Sequence, residues 1–307
     1  MGIKATFDLN HASASSVSMP QEDEIGEDEQ DDSRNSESHA TLQAAATPTI
    51  IEPRTVKEAL AAPDAEQWRL AMSDEYGSLL ANGTWELVDL PPGRHTVGSK
   101  WVLKLKRNPD GSIERYKARL VAKGFSQRYG EDFHETYSPV ASLPTIRVLL
   151  CLALQKGWYV DQFDVKTAYL NGILPSEETV YMTQPDGYVV PGQETKVCKL
   201  IKSLYGLKQA GRRWYIRFAE VVREQGMQRC RSDACVFFIK DATGAIGIII
   251  VYVDDVAAIS SNRKMRARLK AVLTKKFEIH SLGPILYILG IKFHQRDNGA
   301  MEMSQSH

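Results

Sequence analysis

Two adjacent carboxylates, Asp254 and Asp255, close an apolar run of five aliphatic residues and a tyrosine over 248–253, and apolar residues resume at Val256. A β-branched run of that kind reads as a buried strand. Acids at the end of a buried strand are costly to keep charged without a partner. A divalent cation such as magnesium is one such partner, since it prefers carboxylate oxygen. The same pair also suits a hairpin tip between two apolar runs, so these residues alone leave both readings open. A third acid, Asp164, ends another short apolar stretch, 160–165. If the two stretches are neighbours in one sheet, three carboxylates converge, as two-metal phosphoryl transfer requires. No glycine-rich phosphate loop of the Walker kind accompanies them, which argues against a P-loop nucleotidase.

The elements that must carry these acids are legible in outline. Thr55 followed by Glu58 is a capping-box start, and 65–80 has helical periodicity through Trp68, Met72, Tyr76 and Leu79, ended by Asn82-Gly83. A short strand is expected over 85–90. Residues 100–106 alternate basic and apolar, a turn signal follows at 108–111, and 113–121 alternates again. That is a β-hairpin whose one face carries Lys100, Lys104, Lys106, Arg115, Lys117 and Arg119; a merely solvated face is the alternative. Helices are expected over 144–155, 209–225 and 265–276. Short strands are expected at 181–184 and 196–201, with a hairpin of 236–240 and 245–253 over Asp241 to Gly244. Mixed helices and hairpins predict an α+β fold with a largely antiparallel sheet.

Composition narrows the partners. The 307 residues hold 38 basic and 38 acidic side chains, but residues 1–50 take only two of the basic and ten of the acidic ones. Beyond residue 50 that leaves 36 basic against 28 acidic, a net of +8, compatible with a polyanionic partner. Residues 1–52 read as a disordered acidic linker, too poor in large apolar side chains to offset ordering entropy. Cys151, Cys198, Cys230 and Cys235 show no metal-ligand spacing, so zinc is not expected and buried free thiols in a reducing, intracellular setting are. No stretch reaches about 18 uninterrupted apolar residues, so no membrane partner is expected.

Seven blocks then appear in order: KARLVAKGF at 117–125, TYSPV at 136–140, DVKTAYLNG at 164–172, YMTQPDG at 181–187, KSLYGLKQA at 202–210, YVDD at 252–255 and LG at 289–290. Together they resemble the reverse transcriptase of copia-type long-terminal-repeat retrotransposons. The resemblance implies a right-hand polymerase over 53–307, with fingers, an antiparallel palm sheet and flanking helices. It implies RNA-directed DNA synthesis by nucleotidyl transfer from a dNTP to a primer 3′-OH. Asp164, Asp254 and Asp255 would be the catalytic and metal-binding residues for two Mg2+ ions, with Mn2+ as the alternative.

Tyr169 matches the aromatic residue beneath the incoming sugar, where a ring excludes a ribose 2′-hydroxyl; a core aromatic is the plainer reading. An RNA-templated RNA polymerase would share the carboxylates but calls for a small residue there. Tyr205 and Gly206 match the segment against nucleotide and template base, or simply form a tight turn. Arg119, Lys117 and Lys106 are the candidates for triphosphate contacts, Arg119 first, although alternation leaves its facing ambiguous. Leu289 and Gly290 match the primer grip, or a hairpin glycine. The implied partners are an RNA or DNA template–primer, dNTPs, and the integrase and ribonuclease H regions of a parent polyprotein. The implied setting is a cytoplasmic virus-like particle, with the nucleus as a second location.

Two departures stand out. Gly211 occupies a position where relatives usually have proline, which should loosen the turn there. Only 17 residues follow Gly290, so the thumb and ribonuclease H domain are expected to be missing. A truncated element relic that binds nucleic acid without catalysis is therefore the competing reading.

Overall fold

A computed structural model describes residues 52–108, 110–288, 291–295 and 301–304. Most of the acidic segment and the pair Leu289-Gly290 lie outside the described residues. The helices are α1 (Val56–Ala61), α2 (Ala65–Ala81), α3 (Leu143–Gln155), α4 (Ala210–Glu224) and α5 (Arg263–Thr274). The strands are β1 (Trp85–Val88), β2 (Ser99–Arg107), β3 (Ile113–Ala122), β4 (Tyr159–Val165), β5 (Tyr181–Met182), β6 (Val197–Leu200) and β7 (Gln228–Arg229). They continue with β8 (Val236–Lys240), β9 (Ile246–Tyr252), β10 (Asp255–Ser260), β11 (Ile279–Pro284), β12 (Tyr287–Ile288), β13 (Ile291–Gln295) and β14 (Met301–Ser304).

Short polar caps start the helices where the sequence offers them. The Thr55 hydroxyl accepts from the Glu58 amide, Ser142 caps α3 from Thr145, and Asn262 caps α5 from Met265 at 2.8 Å. Gly211 sits in the first turn of α4, so the absent proline costs a pre-set helix start rather than loosening a turn. No helix among the described residues is long and apolar enough to cross a membrane.

The strands form a six-stranded sheet in the order β11-β4-β10-β9-β8-β7, a β1-β6-β5 sheet, a β12-β13-β14 sheet and the β2-β3 hairpin. Every named strand pair is antiparallel, as the mixed hairpin pattern predicts.

Two hydrophobic cores result. One surrounds the six-stranded sheet with α3, α4 and α5; the other joins α1, α2 and β1 to β3 with β5 and β6. A 3-10 turn over Ala168–Asn171 spans the seam between them. Ala168 is buried in the first core and Leu170 in the second, while Tyr169 packs against both.

Several expectations need correcting. β10 and the strands from β11 onward were not anticipated. The run after Asp255 is short and alanine-rich, and the later strands are brief and polar. Along α3, Ile146, Leu150 and Ala153 are buried, whereas Val148 is exposed. Of the four thiols, Cys198 and Cys235 are buried and Cys151 is exposed. Burial pushes both buried thiols up to about 12, so they are inert packing.

Candidate functional site

β4 and β10 are hydrogen-bonded neighbours, and their register sets Asp164 directly opposite Asp255. Side chains directly opposite in an antiparallel pair lie on one face, so the two carboxylates share a surface. Asp254 sits in the two-residue loop, Val253 and Asp254, that closes β9 onto β10, with Tyr252 paired to Asp255. The acids therefore form both a hairpin tip and a carboxylate group. The hairpin-tip reading holds, and that tip brings Asp255 opposite Asp164.

That loop is strained. Val253 has φ 53, a left-handed conformation that β-branched residues rarely adopt. Its carbonyl accepts from the Trp214 indole N–H at 2.6 Å, and the Asp254 carbonyl accepts from the Val165 amide at 2.8 Å. α4 and β4 thus hold the loop from two sides. Among the described residues one other non-glycine has a positive φ, Thr167 at 48, three positions after Asp164. Both strained residues flank the carboxylates, a distribution typical of functional sites.

Asp255 is half-buried, and its acid group is held above the ordinary carboxylate range. Burial is the main cause, and the charges of Asp254 and Asp164 add to it. The Gln162 amide, 3.3 Å from Asp255 Oδ1, works in the opposite direction. Gln162 lies two residues before Asp164 on the same strand face and is buried. Sequence reasoning passed over it, yet period-two alternation from Asp164 marks it. Trp214 is a buried residue of α4, and nothing local to it in the sequence reveals the bond to Val253.

Tyr169 and Tyr205 meet edge to face, ring centroids 4.8 Å apart. The Arg119 guanidinium lies 4.9 Å from the Tyr205 ring centre. Burial raises the Tyr169 phenol, the charge of Asp254 raises it further, and Arg119 opposes both. Burial likewise raises the Tyr205 phenol, with Arg119 lowering it and Asp254 raising it. These couplings place Arg119, both tyrosines and Asp254 in one neighbourhood, and they resolve the facing of Arg119.

The basic hairpin reaches that neighbourhood through backbone. The Ala122 amide donates to the Tyr205 carbonyl at 2.8 Å. Gly206, at φ 88, passes so close that a Cβ there would sit 2.1 Å from the Ala122 carbonyl oxygen. Only glycine fits that crossing. Lys117 is on the same hairpin face as Arg119, two residues away. Burial and the charges of Arg119, Arg115 and Lys106 hold its ammonium below the ordinary range. Lys106 pairs across to Arg115, four residues from Arg119, or about 13 Å along the strand. The structure therefore gathers Asp164, Asp254, Asp255, Tyr169, Tyr205, Gly206 and Arg119, with Lys117 at the edge and Lys106 further out.

Among the described residues, no three His, Cys, Asp or Glu side chains are gathered tightly enough to hold an ion as they stand. The donor set nevertheless fits a hard cation. It offers oxygen only, and the like charges of Asp164 and Asp254 already press on Asp255, a repulsion that a divalent ion relieves.

Residues 82–307 match the family model described as reverse transcriptase (RNA-dependent DNA polymerase). The chain is 44% identical over 255 residues to the retrovirus-related Pol polyprotein from transposon TNT 1-94 of Nicotiana tabacum, covering 83% of this chain and 19% of that one. It is 38% identical over 255 residues to the corresponding polyprotein from transposon RE1 of Arabidopsis thaliana, covering 83% and 17%. The chain thus spans about a fifth of the length of these curated relatives. Among solved structures it is similar to an apo telomerase from Candida tropicalis truncated from its C-terminal domain. That likeness has a TM-score of 0.41 at 12% identity over 77% of this chain and 60% of the other, too slight to argue from. On the family match and the relatives together, the chain belongs to the reverse transcriptase (RNA-dependent DNA polymerase) family, among the copia-type retrotransposon polyproteins.

Proposed function

We propose that this chain catalyses RNA-directed DNA synthesis, transferring a nucleotide from a dNTP to a primer 3′-OH by a two-metal mechanism. The observation that carries the reading is the register of Asp164 against Asp255, with Asp254 in the adjoining loop. Asp164, Asp254 and Asp255 would hold the ions, magnesium or alternatively manganese. Bound there, such ions supply acidification of the primer hydroxyl and neutralisation of the leaving pyrophosphate. Gln162 orients the Asp255 carboxylate through its amide.

Tyr169 stands at the seam of the two cores, where its ring excludes a 2′-hydroxyl. Tyr205 and Gly206 form the floor beside it, and Arg119 receives the triphosphate from the hairpin side. Lys117 and Lys106 extend that positive surface outward along the strand. On this reading β2 and β3 belong to the fingers and the six-stranded sheet is the palm. Leu289 and Gly290 are assigned to the primer grip on family resemblance alone. The partners are a template–primer, dNTPs, and the integrase and ribonuclease H regions of a parent polyprotein. The setting is a cytoplasmic particle.

Primer extension on an RNA template with Mg2+ and dNTPs tests the reading, with Asp254→Asn as control. Extension by the wild type and a loss of at least about 10³-fold in the variant are expected, the scale of removing a principal electrostatic group. A folded wild-type chain that extends nothing would overturn it and leave nucleic-acid binding without catalysis. In the same assay Tyr169→Val is expected to admit ribonucleotides; unchanged sugar selectivity would remove Tyr169 from the site.

A further inference from the structure

Besides the cations of the β2-β3 hairpin, this chain carries a second block of positive charge, away from the carboxylates. Residues 263–276 hold seven cations and no acid. The β2-β3 hairpin, residues 99–122, holds seven cations and two acids by comparison. Most of 263–276 is α5, and α5 lies behind the sheet. Strand alternation puts Asp164 and Gln162 on one face of β4, and Tyr159, Asp161 and Phe163 on the other. Arg266 of α5 makes a two-pronged ion pair with Asp161, both contacts 2.6 Å, and stacks 5.2 Å from the Tyr159 ring centre. Gly247, paired to Ser260 on the same rear face, is covered by Met265 and Leu269. The helix therefore packs on the side away from Asp164 and Asp255.

Its apolar stripe is spent on that packing, with Met265, Leu269, Val272 and Leu273 buried. Its outward cations face solvent. Among the described residues, Arg263, Lys264, Arg268 and Lys270 are exposed and none forms an ion pair. Two clefts flank the helix. One, about 340 Å³, is lined by Arg263, Lys270 and the fixed Arg266, with Ser281 and Gly283 of β11 as its opposite wall. The other, about 450 Å³, is lined by Lys264 and Arg268. Asp241 on its rim accepts from Thr243 and Ala245, and the charge of Lys264 also acts on it.

The four exposed cations, Arg263 to Lys270, span about 10 Å along α5. A small anion would cover a fraction of that length, whereas a chain of regularly spaced phosphates covers it all. A membrane surface is a poorer fit, because the residues between the cations are Ala267, Ala271 and Thr274. Interfacial helices instead carry Trp, Phe or Leu as apolar anchors.

We infer that the outer face of α5 is a second nucleic-acid surface, binding the phosphate backbone of single-stranded RNA or DNA behind the palm. The choice of nucleic acid over other polyanions rests on the polymerase reading, which brings such strands to the opposite face. The contact is sequence-independent, since arginine and lysine on phosphate carry no base readout.

Fluorescence anisotropy with a labelled single-stranded RNA, titrated at several KCl concentrations, tests this without requiring catalysis. A chain that extends no primer can still pass, and an active polymerase can fail. The variant Arg263→Gln, Lys264→Gln, Arg268→Gln, Lys270→Gln is expected to bind at least about tenfold more weakly at low salt. Its log–log salt slope should flatten by about 2 to 3, near 0.7 per lost phosphate contact. Unchanged affinity and slope would overturn the proposal. So would tighter wild-type binding to phosphatidylserine vesicles or to a poly-glutamate peptide than to RNA at equal salt. A readout free of folding effects comes from lysine acetylation of the wild-type chain followed by mass spectrometry. Bound RNA should protect Lys264 and Lys270 and leave Lys57 of α1 reactive; equal reactivity with and without RNA would overturn the assignment.

Discussion

Two hairpins of this protein, β2-β3 and β9-β10, are built on opposite principles. The first turns through residues chosen for turning. Gly111 has φ 85, the Asn108 amide donates to the Ser112 carbonyl, and Asp110 accepts from the Ser112 amide and hydroxyl. The second turns through Val253 at φ 53, a residue type that disfavours the conformation, with two carboxylates alongside. Its shape is imposed by Trp214 and Val165. Where the chain only has to reverse, local chemistry suffices. Where it has to present acids, the rest of the fold over-determines an unfavourable loop.

Breaking the imposed loop from outside should have the largest effect. Trp214→Ala removes a buried indole together with the bond to Val253, and a loss of about 3–5 kcal/mol is expected in urea unfolding. Trp214→Phe keeps most of the packing and strands the Val253 carbonyl, for about 1–3 kcal/mol. A Phe variant as stable as wild type would mean the loop holds itself, and the contrast with the first hairpin would fail.

Next come the turn residues themselves, where the two hairpins should respond unequally. Gly111→Val forces a branched side chain into the left-handed region and should cost about 1–2 kcal/mol. Val253→Gly relieves strain of similar size while adding backbone entropy to the unfolded chain, so its net change should stay within about 1 kcal/mol. Equal losses at both sites, by chemical denaturation, would show that Val253 carries no strain.

The smallest effects should be opposite in sign at the two acids. Hydrogen bonds from the Ser112 hydroxyl and amide hold the Asp110 carboxyl below its ordinary 3.8. The stability Asp110 contributes is present above that value and is lost as pH falls through the lowered one. Asp255 is held above 3.8, so over that window the folded state binds more protons and stability falls as pH rises. Thermal melts at neutral pH should therefore place Asp110→Asn slightly below wild type and Asp255→Asn slightly above it. The Asp255→Asn advantage should disappear below about pH 3.8. A destabilised Asp255→Asn at neutral pH would mean that burial and the neighbouring acids together do not disfavour the charged carboxylate.

Much of this arrangement was legible in the residues. The alternation over 100–121 marks the first hairpin, and the run at 248–253 marks β9, because a strand's side-chain period is local. The facing of Arg119 was not legible, since a one-residue slip reverses every side chain. It took the register of Val102 against Arg119 and the contact with Tyr205 to settle it. Gln162 hid because a buried amide resembles any polar strand residue until its partner is known. β10 hid because Val256 to Ser260 is too short and too rich in alanine to declare a strand.

The sequence by itself determined the chemistry on offer and the family: three acids at strand ends, an aromatic five residues after the first, and ordered blocks around them. The tertiary structure decided what those residues do to one another. It set Asp164 opposite Asp255, drew Arg119 onto Tyr205, forced Val253 into its loop, and turned the cations of α5 away from the carboxylates. Pattern is a property of neighbours along the chain, whereas pairing joins residues about ninety positions apart, as Asp164 and Asp255 are. Only the packed fold fixes which of many possible registers is formed.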